Sequence, residues 1–138
     1  MHLLIDVVCR GGNLALNIAP QPDGELPGPA VRAVDGLGAW LRANGEAIYG
    51  TRLAEPNEQG QVAFTKKGDV HYALLRLPEG EALGRELCIP WPGPVEKITL
   101  LDVETPLRFE RAEGGLRVQL PDILVGSNPI APAFRIEQ

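Results

Sequence analysis

Apolar and polar positions change their rhythm twice along this chain. Residues 3–9 (LLIDVVC) are apolar apart from one aspartate and run into Gly11-Gly12, a pattern that favours the last turns of a helix stopped by glycine over a strand. From Asn13 the period becomes two. Leu14, Leu16 and Ile18 alternate with Ala15 and Asn17, which predicts a short strand over 13–18. Pro20, Pro22, Asp23-Gly24 and Pro27 then force a loop. Steps of three and four follow in Val31, Val34, Leu37 and Leu41. They predict a helix with these residues on one face, Trp40 at its flank, Pro29 in its first turn and Asn44-Gly45 at its end.

Past Tyr49-Gly50 the stretch TRLAEPNEQG (51–60) reads as a polar connector, and a domain boundary is expected at about residue 55. Beyond it come short runs with turn signals between them. QVAFTK (61–66) and DVHYALLRL (69–77) flank a hairpin signal at Lys67-Gly68-Asp69. RELCIP (85–90), VEKITLL (95–101), LRFER (107–111), LRVQL (116–120) and AFRIE (133–137) follow, several with one apolar and one polar face. This predicts a mainly β chain. An antiparallel β-sandwich over 55–138 is preceded by a strand, loop and helix over 1–54 that look like the end of something larger.

Composition supports a globular protein: 138 residues, 44% hydrophobic and 22% charged. The net charge of −5 argues against nucleic acid and anionic membrane surfaces as partners. Sixteen glycines and thirteen prolines without a repeat fit many short strands and turns. The two cysteines, Cys9 and Cys88, form no CxxC pair and lack histidines at metal spacing, so they read as buried or half-buried free thiols. The N-terminal residues resemble neither a signal peptide nor a membrane span, and the cellular location stays open.

Candidate chemistry is sparse. His71 lies between Val70 and Tyr72 with no nucleophile or carboxylate placed to form a triad. There is no phosphate-binding glycine motif and no GxSxG elbow. Of the carboxylates at Asp23, Glu25, Asp35, Glu46, Asp102, Glu104 and Asp122, those in the proline loop are the least ordinary. Asp23-Gly24 is nevertheless also explained by turn geometry. Trp91, held between two prolines, is a candidate sugar-stacking platform, although plugging the sandwich edge is the favoured reading for it.

The residues from Leu4 to Arg52 carry a resemblance. LIDVVCRGGNLALNIAPQPDGELP followed by LGAWLRANGEAIYGTR resembles the end of the catalytic region of the α-L-fucosidases of glycoside hydrolase family 29. VAFTKKGDVHYALLRLP, VEKITLLDVETPLRFER and GLRVQLP resemble that family's C-terminal β-sandwich. The resemblance implies that Asn13–Ile18 is a late strand of a (β/α)₈-type barrel, that 21–28 is a loop on the catalytic face and that 29–44 is the closing helix. It further implies a retaining two-carboxylate hydrolysis of α-L-fucosides in the intact enzyme, without metal or organic cofactor. None of the family's catalytic residues can be placed on a position of this chain. Cys9-Arg10-Gly11 and Leu53-Ala54 depart from the family's usual Ser-Lys-Asn and Pro-Trp.

The expectation is therefore a C-terminal portion of such an enzyme, structural and inactive alone. It would meet fucosylated glycans only through the intact protein, and the apolar faces of 13–18 and 31–41 would pack against the sandwich, pair with another copy in self-association, or be left partly disordered. The alternative is a stand-alone β-sandwich module that binds a glycan or a protein.

Overall fold

The computed structural model describes all 138 residues. Helix α1 (His2–Cys9) ends as its glycines require. Gly11 takes a φ of +81°, its N–H donates to the Val8 carbonyl at 2.9 Å, and the Gly12 N–H reaches the Val7 carbonyl at 2.8 Å. This is a Schellman stop, in which two carbonyls of the last turn find donors. Helix α2 (Gly28–Asn44) carries its proline in the first turn and runs into a 3₁₀ turn, Gly45–Ala47.

Nine strands follow: β1 (Arg52–Gln59), β2 (Val62–Lys67), β3 (Val70–Leu75), β4 (Glu86–Ile89), β5 (Lys97–Leu100), β6 (Thr105–Leu107), β7 (Phe109–Ala112), β8 (Gly115–Gln119) and β9 (Ala133–Glu137). They form two antiparallel sheets, β1-β2-β3-β9-β5-β6 and β4-β8-β7. The hairpin signalled at Lys67-Gly68-Asp69 forms, with Lys67 opposite Val70 and Phe64 opposite Ala73.

Period-two alternation sorts the side chains of the larger sheet between two cores. Phe64, Ala73, Leu75, Ile98, Leu100, Phe134 and Ile136 face the smaller sheet, where Ile89, Leu116 and Val118 meet them. The intervening residues Ala63, Tyr72, Leu74 and Ala133 pack on the opposite side against Ile5 and Cys9 of α1, Trp40 of α2, and Ala47 and Ile48. The central strands are thus buried on both faces, which is why VHYALL reads as a continuous apolar run. A fully buried Ile or Leu is worth on the order of 1.5–3 kcal/mol. Burial of Ile5 therefore anchors an eight-residue helix that would be marginal by itself.

Four expectations are corrected. Residues 13–18 pair with no strand; Leu14 and Ile18 are half-buried and Leu16 is 57% exposed, because this chain contains no neighbouring strand to complete the ladder. The stretch read as a connector is strand β1. It pairs with β2 across an irregularity between Leu53 and Glu58 that accommodates Pro56 at the sheet edge. Trp40 is not at the flank of α2 but at its buried centre, while Val31 and Val34 remain 40% and 39% exposed. Cys88, on β4, is exposed rather than half-buried.

Candidate functional site

Three groups of polar side chains stand out from the scaffold. The first is the proline loop. Its tip is closed by the Gln21 N–H donating to the Glu25 carbonyl at 2.8 Å and the Gly24 N–H donating to the Gln21 carbonyl at 2.9 Å. Asp23 accepts a 3.0 Å hydrogen bond from the Glu25 N–H through Oδ1, so one carboxylate oxygen is spent on the turn. Asp23 itself is exposed, and no other carboxylate is brought to it by an ion pair or hydrogen bond.

The second group joins the helical layer to the sheet. Arg76, just after β3, donates through NH1 to Asp6 of α1 and to Glu58 of β1 at 3.2 Å, and through NH2 to the Gly60 carbonyl at 3.0 Å. Arg10 holds the other oxygen of Glu58 at 3.0 Å. The Arg10 hydrogen bond, reinforced by Arg76, depresses the Glu58 pKa against some desolvation. Burial opposes the charge on Arg76, but its bonds to Asp6 and Glu58 outweigh it, and the guanidinium pKa is raised. Both residues are locked in their charged states, which suits a clasp and not a general acid. Beside them, burial and then the charge of Glu58 push the Cys9 thiol upward.

The third group surrounds Trp91. Its ring is 3% exposed and packed between Phe64, at 5.6 Å between centroids, and His71, at 4.6 Å. The indole N–H donates to the Pro94 carbonyl at 3.1 Å, and Arg111 donates to the Trp91 and Gly93 carbonyls. A ring covered on its faces offers no stacking platform, so Trp91 closes the sandwich edge. His71 is half-buried, and Gln138 lies 3.0 Å from its Nδ1. Desolvation lowers its pKa; a backbone bond to Asp69 opposes the shift, and the charge of Lys66, opposite it on β2, adds to it.

Of the remaining candidate carboxylates two meet cations, whereas Glu25, Asp35, Asp102 and Glu104 enter no ion pair. Glu46 pairs with Arg135 at 3.1 Å and Asp122 with Arg85 at 3.3 Å. A cleft of about 520 Å³ opens between the end of α1 and residues 48–53, with Asn13, Tyr49 and Arg52 at its rim. Sequence reasoning missed the Arg76 clasp because Glu58 lay in the supposed connector. The usable signal was a lone arginine ending an apolar run, which demands a carboxylate partner.

Comparison with known proteins points to one family. The sequence model of the family described as Alpha-L-fucosidase matches residues 1–46. An Alpha-L-fucosidase of Branchiostoma floridae is 34% identical over 88% of this chain and 28% of its own length. The Tissue alpha-L-fucosidase of Homo sapiens is 32% identical over 97% of this chain and 29% of its own. The crystal structure of Thermotoga maritima alpha-fucosidase in complex with a mechanism-based inhibitor superposes with a TM-score of 0.82 at 29% identity. It covers 99% of this chain and 33% of that one. The chain thus spans less than a third of the length of the two curated relatives.

Proposed function

This chain belongs to the alpha-L-fucosidase family as a C-terminal portion, and from that premise we propose that it completes and supports a catalytic barrel. In this reading residues 1–54 supply the last strand, loop and helix of a (β/α)₈-type barrel, and 55–138 form the supporting sandwich, with β1 crossing the junction. The intact protein hydrolyses α-L-fucosides in fucosylated glycans by a retaining mechanism with two carboxylates, and the 138-residue chain alone does no chemistry. Loop 21–28, with Asp23, then borders the catalytic mouth, as barrel loops do.

The observation that carries this reading is the unpaired extended segment 13–18, with Leu16 57% exposed. Leu26 in the following loop and Val31 and Val34 on α2 are exposed as well. An apolar strand with open edges and an apolar helix face are stable when neighbouring strands and helices cover them. In the isolated chain the same surfaces drive self-association.

Hydrolysis of p-nitrophenyl α-L-fucoside by the purified chain, beside a full-length family member, tests the reading. The expected result is no turnover, with sedimentation showing concentration-dependent association. Turnover that survives repurification would place the chemistry in this chain and overturn the proposal.

A further inference from the structure

Helix α1 is attached to the sheet by two kinds of contact. Ile5 and Cys9 share a buried core with Ala63, Tyr72 and Leu74. Every ion pair that the helix end makes crosses to the sheet. Asp6 meets Arg76, just past β3, and Arg10, the cap of α1, meets Glu58 of β1 at 3.0 Å. Arg76 also reaches Glu58, at 3.2 Å. Helix and sheet thus each contribute one carboxylate and one guanidinium to a single connected group, of which Arg76 is the least exposed member.

The group is balanced only while both carboxylates are ionised. Protonation of Asp6 and Glu58 removes both negative charges and leaves two guanidiniums at the helix–sheet interface, one of them largely covered. The charged and titratable side chains that act on one another here are Asp6, Cys9, Arg10, Glu58 and Arg76. Burial raises the Cys9 thiol, so it carries no charge in acid, and β2 contributes to this core Ala63, which has none to offer. An eight-residue helix is marginal without its attachment. The core between the two sheets is built differently: its sixteen buried residues include no ionisable side chain, and His71 touches it only through Trp91 at the rim.

We propose that Asp6, Arg76, Glu58 and Arg10 form an acid-released clasp, which holds α1 on the sheet at neutral pH and lets the helix leave a still-folded sandwich once the two carboxylates are protonated. The bonds from Arg10 and then Arg76 hold Glu58 below the ordinary glutamate value of about 4.3. A carboxylate lowered on folding contributes its stability in full above its unfolded value, and that contribution is lost as the pH falls through the folded one. The clasp is therefore closed at pH 5 and opens below about pH 4. If α1 belongs to the end of a barrel, its release loosens barrel from sandwich. That consequence rests on the barrel reading, whereas the clasp belongs to this chain alone and is tested without fucoside turnover.

Hydrogen exchange of the 138-residue chain, corrected for the intrinsic effect of pH, is measured at pH 7, pH 5 and pH 3.5. Protection of α1 is expected to fall about tenfold or more between pH 5 and pH 3.5 while β2, β3 and β9 keep theirs. Cys9 gives a second readout. In a Cys88→Ser background, dithiodipyridine, a disulfide that reacts with thiols in acid, labels Cys9 at pH 3.5 and leaves it untouched at pH 5. The double variant Asp6→Asn, Glu58→Gln keeps the side-chain shapes without the charges, and its α1 is expected to be open at pH 7 with no further loss in acid. Loss of protection by α1 and the sheet at one and the same pH overturns the proposal. So does α1 protection unchanged down to pH 3.5, or the full acid response in the double variant.

Discussion

The indole N–H of Trp40 donates a 3.0 Å hydrogen bond to the carbonyl of Ala131, ninety-one positions away in the chain and fully buried. This bond fastens the end of α2 to the segment that enters β9, the strand between β3 and β5. Trp40→Phe keeps most of the apolar ring but leaves the Ala131 oxygen without its donor. Urea unfolding is expected to show a loss of about 1–3 kcal/mol, the usual cost of a stranded buried acceptor. An unchanged midpoint would mean that solvent reaches that carbonyl.

Arg76 bridges three elements, and its removal acts on α1 before it acts on the sheet. The arginine side chain is 15% exposed, whereas Asp6 and Glu58 keep 34% and 33% of theirs. Solvent therefore screens the carboxylates, and Arg76→Met is expected to cost about 1–2 kcal/mol, below the cost of breaking a fully buried pair. Hydrogen exchange should quicken in α1 more than in β2 and β3. Equal quickening throughout would show that the clasp does not hold α1 in particular.

The two thiols should react in sequence. Cys88 is exposed on β4, whereas Cys9 is buried and its pKa is raised, chiefly by desolvation. A thiol reagent at pH 8 is expected to label one cysteine quickly and the second only on unfolding. Rapid labelling of both would mean that α1 opens readily from the sheet.

His71 predicts an acid-side loss of stability. Its folded pKa is lowered, mainly by burial, so the unfolded chain takes up a proton first as the pH falls. The contribution is complete above the unfolded value near 6.5 and is lost as pH drops from there toward the lowered folded value. His71→Gln should flatten the fall in urea midpoint between pH 7.5 and pH 5. An identical slope in the variant would assign that fall to other groups.

Sheet residues and helix residues differ in how much of their fate is local. The Lys67-Gly68-Asp69 turn, the glycine stop of α1 and the proline start of α2 were legible because each depends on the φ preferences and hydrogen bonds of a few neighbouring residues. The alternation in IT, FE and VQ pairs likewise marked β5, β7 and β8. The family resemblance was legible too, in an ordered motif from Leu4 to Arg52.

What tertiary structure decided was which faces have partners. Residues 13–18 carry the pattern of a strand, yet a strand is a relation between two segments, and this chain offers no second one there. Residues 52–59 carry the composition of a connector, yet β2 supplies a ladder for them and Arg76 a counter-charge for Glu58. Asn44 looked like a helix stop, and only packing left its oxygen sealed and unpaired beside a cavity. Local rules set where the backbone turns and caps. Pairing and burial are set by residues distant in sequence, and no local pattern encodes their positions.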